Sequence, residues 1–259
     1  MKSLSNIWIL ARKELRSYFA SPIAYIVLAM FALIFGFFFY SATAVFVQYG
    51  MRAAMSRGGA PPMNLNEFIV RPLFMNLSVI ALFLMPMITM RLFAEEKRSG
   101  TIELLLTSPL RDIEIILGKW LAALLLYACM LAICAVNFLY LFLYGQPDWK
   151  AMLVGYLGLL LLGAAFLSLG AFLSTTTRNQ IIAASLTFGV FLMLWVLDWV
   201  TSYSTEPAGK VVAYLSITAH FESFAKGVVD LKDAVYYLSV IFLGLFLTSR
   251  SMESLRWRS

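Results

Sequence analysis

Pro22-Ile-Ala-Tyr-Ile-Val-Leu-Ala-Met-Phe-Ala-Leu-Ile-Phe-Gly-Phe-Phe-Phe-Tyr-Ser-Ala-Thr-Ala-Val-Phe-Val47 is a near-continuous apolar run with one glycine and many aromatic side chains. As a helix rising 1.5 Å per residue it reaches about 39 Å, enough to cross a hydrocarbon layer of about 30 Å with some tilt. The surrounding composition agrees. The chain has 259 residues, 61% hydrophobic and 13% charged, whereas soluble domains average about 45–50% apolar and about 25% charged. The excess apolar content falls in long blocks, so it cannot be one globular core.

Before this run, Ser3 to Phe19 reads as an amphipathic helix lying on the membrane. Leu4, Trp8, Ala11, Leu15 and Phe19 recur at three- and four-residue spacing, with Arg12, Lys13 and Arg16 on the other side. The block that follows is too long for a signal-peptide core, so it is expected to stay as a span. After it, Gln48 to Arg71 is polar, holds Gly58, Gly59, Pro61 and Pro62, and reads as a loop outside the membrane. Pro72 to Met90 is expected as a second span, kinked or ended by Pro86. Further spans are expected within Ile113–Tyr144, Ala151–Leu173, Gln180–Trp199 and Ala234–Ser249, with tight turns at 145–150 and 174–179. The expected fold is therefore all-α: a polytopic membrane protein with six transmembrane helices and an N-terminal interfacial helix. It forms a single domain over 1–259, divided into the interfacial helix (1–21), two spans (22–90), a charged segment (91–119), four spans (120–249) with a loop at 200–233, and a basic tail (250–259).

Six spans put both termini on one side. Thirteen basic residues fall on that side and seven on the other, so the positive-inside rule makes the termini cytoplasmic. The net charge of +6 does not imply nucleic acid, because the lysines and arginines sit at the ends of apolar blocks rather than on one basic face.

Catalytic constellations are scarce. His220 is the only histidine, too few for bis-His haem ligation or an H-E-x-x-H zinc site. Cys129 and Cys134 share one apolar block, five residues apart, and read as small buried residues rather than a bridge or metal site. No phosphate-binding G-x-x-x-x-G-K-[ST] loop exists; Gly118-Lys119 and Gly209-Lys210 lack the upstream glycine and the following hydroxyl. Asp198 stands at the end of the fifth span beside Trp195 and Trp199, and reads first as an interfacial residue. No metal site and no catalytic residue is expected.

The most informative polar stretch is Phe93-Ala-Glu-Glu-Lys-Arg-Ser-Gly-Thr-Ile-Glu-Leu-Leu-Leu-Thr-Ser-Pro109. It carries charges beside Ile102, Leu104, Leu105 and Leu106. A short helix with one apolar and one charged face can lie in a groove of a soluble partner; a solvated connector is the plain alternative. Gly100 permits a break, Thr101 is placed to cap the helix that follows, Glu103 falls in its first turn, and Pro109 stops it.

Glu95-Glu96-Lys97-x-x-Gly100-Thr101-x-Glu103-Leu104-Leu105-x-Thr107-x-Pro109 resembles the coupling-helix region of type-2 ATP-binding-cassette permeases. Lys13-Glu14-Leu15-x-x-Tyr18-x-x-Ser21-Pro22 looks like the connecting helix of that family. Leu197-Asp198-Trp199, His220-Phe221-Glu222-x-Phe224-x-Lys226-Gly227 and Leu255-Arg256-Trp257-Arg258 are similar to its gliding-motility-associated branch, which also resembles the permease of nitrous-oxide-reductase maturation. The resemblance implies a type-2 exporter permease fold in a bacterial inner membrane. It also implies a second permease chain, a separate cytoplasmic ATPase holding ATP and magnesium, no cofactor in this chain, and a periplasmic or envelope auxiliary protein. Glu95, Glu96, Lys97, Arg98, Gly100, Thr101, Glu103, Leu104 and Leu105 would meet the ATPase, with Glu96 and Glu103 needed for coupling but not for folding. Asp198, His220 and Glu222 would lie on the outer side, the last two in a re-entrant segment. Export across the membrane and a non-transport role, anchoring an ATPase-driven motility, envelope or metalloenzyme-maturation machine, both fit these residues. A lipid-modifying enzyme would need a cluster of acids or histidines that the sequence does not offer.

Overall fold

The computed structural model describes residues 2–55, 64–203 and 214–256. Every regular element among them is helical. In chain order they are α1 (Lys2–Ala20), α2 (Pro22–Met55), a π-helical turn (Asn66–Val70), α3 (Arg71–Thr89), α4 (Ala94–Ser99), α5 (Ile102–Leu106), α6 (Asp112–Tyr144), α7 (Trp149–Thr176), α8 (Gln180–Tyr203), α9 (Phe221–Ala225) and α10 (Leu231–Arg256). Six of them, α2, α3, α6, α7, α8 and α10, are long and apolar enough to cross a membrane.

Local chemistry sets the breaks. Pro22 opens α2 at a position where its missing N–H costs nothing, and the Ser21 hydroxyl accepts from the Ile23 N–H at 3.4 Å. Asp148 caps α7 by accepting from the Lys150 N–H at 2.9 Å. Between α7 and α8, the Asn179 side chain accepts from the Ile181 N–H at 2.9 Å. Pro86 lies inside α3, which ends one turn later with the Met90 N–H on the Pro86 carbonyl at 3.0 Å.

Several expected boundaries change: the far end of the expected 48–71 loop is the helical turn Asn66–Val70, and the sixth span begins at Leu231 rather than Ala234. The segment from Gln48 is not loop at its start: α2 continues helically to Met55, because Ala53, Ala54 and Met55 are good helix formers and Gln48 and Arg52 break nothing. Gly58, Gly59, Pro61 and Pro62 lie outside the described residues. The basic tail is likewise helical as far as Arg256, the end of α10, with Arg250 and Glu253 paired at 2.8 Å one turn apart.

The centre of the bundle is α7. α3, α6, α8, α9 and α10 all pack on it. α1 lies along α6, and α2 rests on α3 and α6. The face of α1 turned to α6 carries Leu10, Ala11 and Tyr18, all buried, while Leu4 is 74% and Trp8 56% exposed. The expected apolar stripe is thus split. One half packs on protein, and Leu4 and Trp8 remain free for lipid.

Candidate partner-docking site

The segment between α3 and α6 has a fixed part and a projecting part. α4 has no cap of its own: Phe93 precedes it and supplies no side-chain acceptor. The missing acceptor comes from α7, where the Ser174 hydroxyl receives the N–H groups of Phe93 at 3.1 Å and Ala94 at 3.0 Å. The Lys97 ammonium donates to the Thr175 carbonyl at the same helix end. Thr175 in turn is hydrogen-bonded to Ser251 of α10 at 2.7 Å. Arg91 grips Glu95 through two N–H groups, at 2.8 and 3.2 Å, and reaches the Ser21 hydroxyl at 3.4 Å. Such fork-on-carboxylate pairs fix orientation as well as energy.

Glu96 turns inward. Its Oε1 lies 2.7 Å from the Lys119 ammonium, which also lies 3.3 Å from Glu14 on α1. Lys119 is 2% exposed and stands 5.6 Å from the Phe93 ring centre. The expectation that Glu96 offers its charge to a partner and is dispensable for folding therefore meets a different geometry, in which Glu96 is an internal counterion.

Gly100 ends α4 at φ +75°, a left-handed conformation that glycine adopts without strain. Thr101 stands at the start of α5 but makes no side-chain cap there; its hydroxyl meets that of Ser99 at 2.9 Å. α5 ends at Leu106, before Pro109, with the Thr107 hydroxyl donating to the Glu103 carbonyl at 3.0 Å. Ile102 and Leu105 rest partly buried on the core. Arg98, Glu103 and Leu104 face outward, and Leu104 is 72% exposed.

The outer candidates do not form one group. Asp198 lies in α8, but its side chain is outside the described residues. His220 is buried, with Nε2–H donating to the Tyr214 carbonyl at 2.9 Å. Its Nδ1 lies 2.7 Å from Asp233 Oδ1, within hydrogen-bond distance, and its ring stacks on Tyr236 at 3.9 Å. The hydroxyls of Tyr236 and Tyr237 donate to the carbonyls of Leu215 and Ile217. This stitching binds the segment before α9 to the first turns of α10. Glu222 instead bridges Arg71 and Lys226, each at 2.9 Å, and these cations hold its carboxyl below the usual carboxylate range, Lys226 most strongly. Among the described residues no group of three or more His, Cys, Asp or Glu side chains could hold a metal ion.

Sequence reasoning missed Lys119, Glu14, Ser174 and Asp233. Lys119 carried a signal: a lysine at the edge of an apolar block, directly before Trp120 and Leu121, needs a partner if it is buried. Gly118-Lys119 fails as a phosphate loop, yet it has a packing use, since a side chain at Gly118 would meet Leu10 of α1 at 2.8 Å. Ser174 carried none, because capping from another helix leaves no local pattern.

Residues 8–231 match the family model described as ABC-2 family transporter protein, and the chain belongs to that family. No curated protein matches it.

Proposed function

We propose that this ABC-2 family member, the permease component of an ABC transporter, receives a separate cytoplasmic ABC ATPase on α5 and passes ATPase movement into its helical bundle. The observation that carries the reading is the division at Gly100. α4 is tied to α7 by Ser174 and Thr175 and to α6 by Lys119, while α5 projects Glu103 and the 72% exposed Leu104. An exposed apolar side chain beside a charge suits the groove of a soluble partner, and the tied base beneath it turns a push on α5 into motion of α6 and α7.

On this reading the α4–α5 end and both termini are cytoplasmic in a bacterial inner membrane, and the α9 end faces outward. Each chain offers one docking segment, so a paired ATPase needs two permease chains, forming a two-plus-two complex. The work done is export or conformational drive of an envelope machine; the likeness to the gliding-motility branch supports the latter.

The test is affinity purification of the tagged chain from its own membranes, with native mass spectrometry. The expected result is an ABC ATPase in two-plus-two stoichiometry, lost in Leu104→Glu and Glu103→Lys while the permease inserts at normal level. Normal ATPase retention in both variants would overturn the docking assignment. A stable one-to-one complex with ATPase activity would overturn the stoichiometry.

A further inference from the structure

Lys119 is a single buried cation holding carboxylates from two different helices. Glu96 belongs to α4, and Glu14 belongs to α1, which lies along α6 and exposes Leu4 and Trp8. The two acidic side chains are each only 17% exposed. The arrangement is unequal. Glu96 is nearer at 2.7 Å, Glu14 stands at 3.3 Å, and the second oxygen of Glu96 is buried with no hydrogen-bond partner. Two carboxylates therefore compete for one ammonium that is itself almost wholly shielded from water.

A charge contact in low dielectric is strong and weakens with distance, and a buried charge that loses its partner is left at high cost. A cation shared between two acids also has two end states, one weighted to each acid. Displacing α4 stretches the Glu96 contact and frees the ammonium to close on Glu14. We propose that Lys119 is a positioning residue that makes the interfacial helix α1 follow α4, so that a change at the docking segment reaches the membrane surface as well as the spans. The notch at Gly118 supports this, because Leu10 of α1 sits where a side chain at that position would be. The α1–α6 contact is thereby keyed next to the charge. The inference rests on the docking reading above.

The test uses the full permease with its ATPase in lipid nanodiscs, with Cys129 and Cys134 replaced. An environment-sensitive dye is placed at Ser5→Cys on exposed α1 or at Ser99→Cys on α4. In the parent protein ATP with vanadate is expected to shift both reporters. Glu14→Gln keeps the shape of the side chain and the Glu96–Lys119 pair, and is expected to abolish the Ser5 shift while leaving the Ser99 shift and ATPase retention intact. Glu14→Asp should restore at least part of the Ser5 shift. A full Ser5 shift in Glu14→Gln, or a parent that responds at Ser99 but not at Ser5, overturns the linkage alone. A parent with bound ATPase and no response at either position overturns the linkage together with the docking reading.

Discussion

α2 and α7 have nearly the same apolar character and opposite surroundings. Their most apolar windows average 2.4 and 2.2 in hydropathy, yet 22% of the α2 window and 61% of the α7 window is buried inside the protein. Hydropathy reports that a helix can live in lipid; it does not report whether lipid or protein surrounds it. The distinguishing feature is where small residues meet large ones. On α7 a side chain at Gly155 would strike Phe74 at 2.3 Å, one at Gly158 would strike Phe224 at 2.4 Å, and one at Gly163 would strike Tyr127 at 2.1 Å. On α2 nothing lies within 4 Å of the corresponding point at Gly36. Close approach through small residues drives association where the hydrophobic effect is absent.

The hardest test of this contrast concerns the polar pair that joins the α9 end to α10. Asp233→Ala leaves the buried His220 Nδ1 without its partner, and leaving a buried polar group unsatisfied costs about 1–3 kcal/mol. Thermal unfolding in detergent should fall sharply, and the 214–220 segment should become sensitive to protease; an unchanged melting temperature would show that the pair does not hold that end. The next effect separates the two helices directly. Gly163→Leu should destabilise by about 1–3 kcal/mol through overpacking. Gly36→Leu, in open surroundings, should stay within about 0.5 kcal/mol. Equal losses would break the comparison. Ser174→Ala removes the acceptor for two amides and should cost about 1 kcal/mol, read as faster hydrogen exchange at Phe93 and Ala94 with the rest of α7 unchanged. The smallest effect belongs to Glu222, nearly half exposed and screened by water. Its lowered carboxyl pKa gives a contribution that is complete above the ordinary carboxylate range and is lost as pH falls through the lowered value. Glu222→Gln should remove that slight acid sensitivity from the melting curve; an identical acid profile would assign the sensitivity elsewhere.

The spans were legible because each is a long apolar block, and α4–α5 was legible because Gly100 and the charges around it interrupt those blocks. Helix ends were less so. Arg52 and Arg250 end an apolar run without ending a helix, since arginine is a good helix former, so α2 and α10 extend beyond the lipid-compatible stretch. The facing of individual charges was not legible at all. Glu95, Glu96 and Lys97 are adjacent in sequence and take three different partners: Arg91 on the preceding turn, Lys119 on α6, and a carbonyl on α7. Only the crossing of distant helices decides this. The same holds for α1, where Glu14 sits with Leu10, Ala11 and Tyr18 on the packed side because α6 offers Lys119 there.

Lys119 also has a consequence for the order in which the chain is made. Both of its acids, Glu14 and Glu96, precede it, so they have left the ribosome before α6 begins to enter the bilayer. Lys119 lies two turns into α6; a buried cation without a counterion is costly, and here the compensating charges are already waiting. His220 is arranged the other way, its partner Asp233 arriving thirteen residues later. The α4–α5 end can therefore mature while synthesis continues, whereas the α9 end must stay open until the last helix has started.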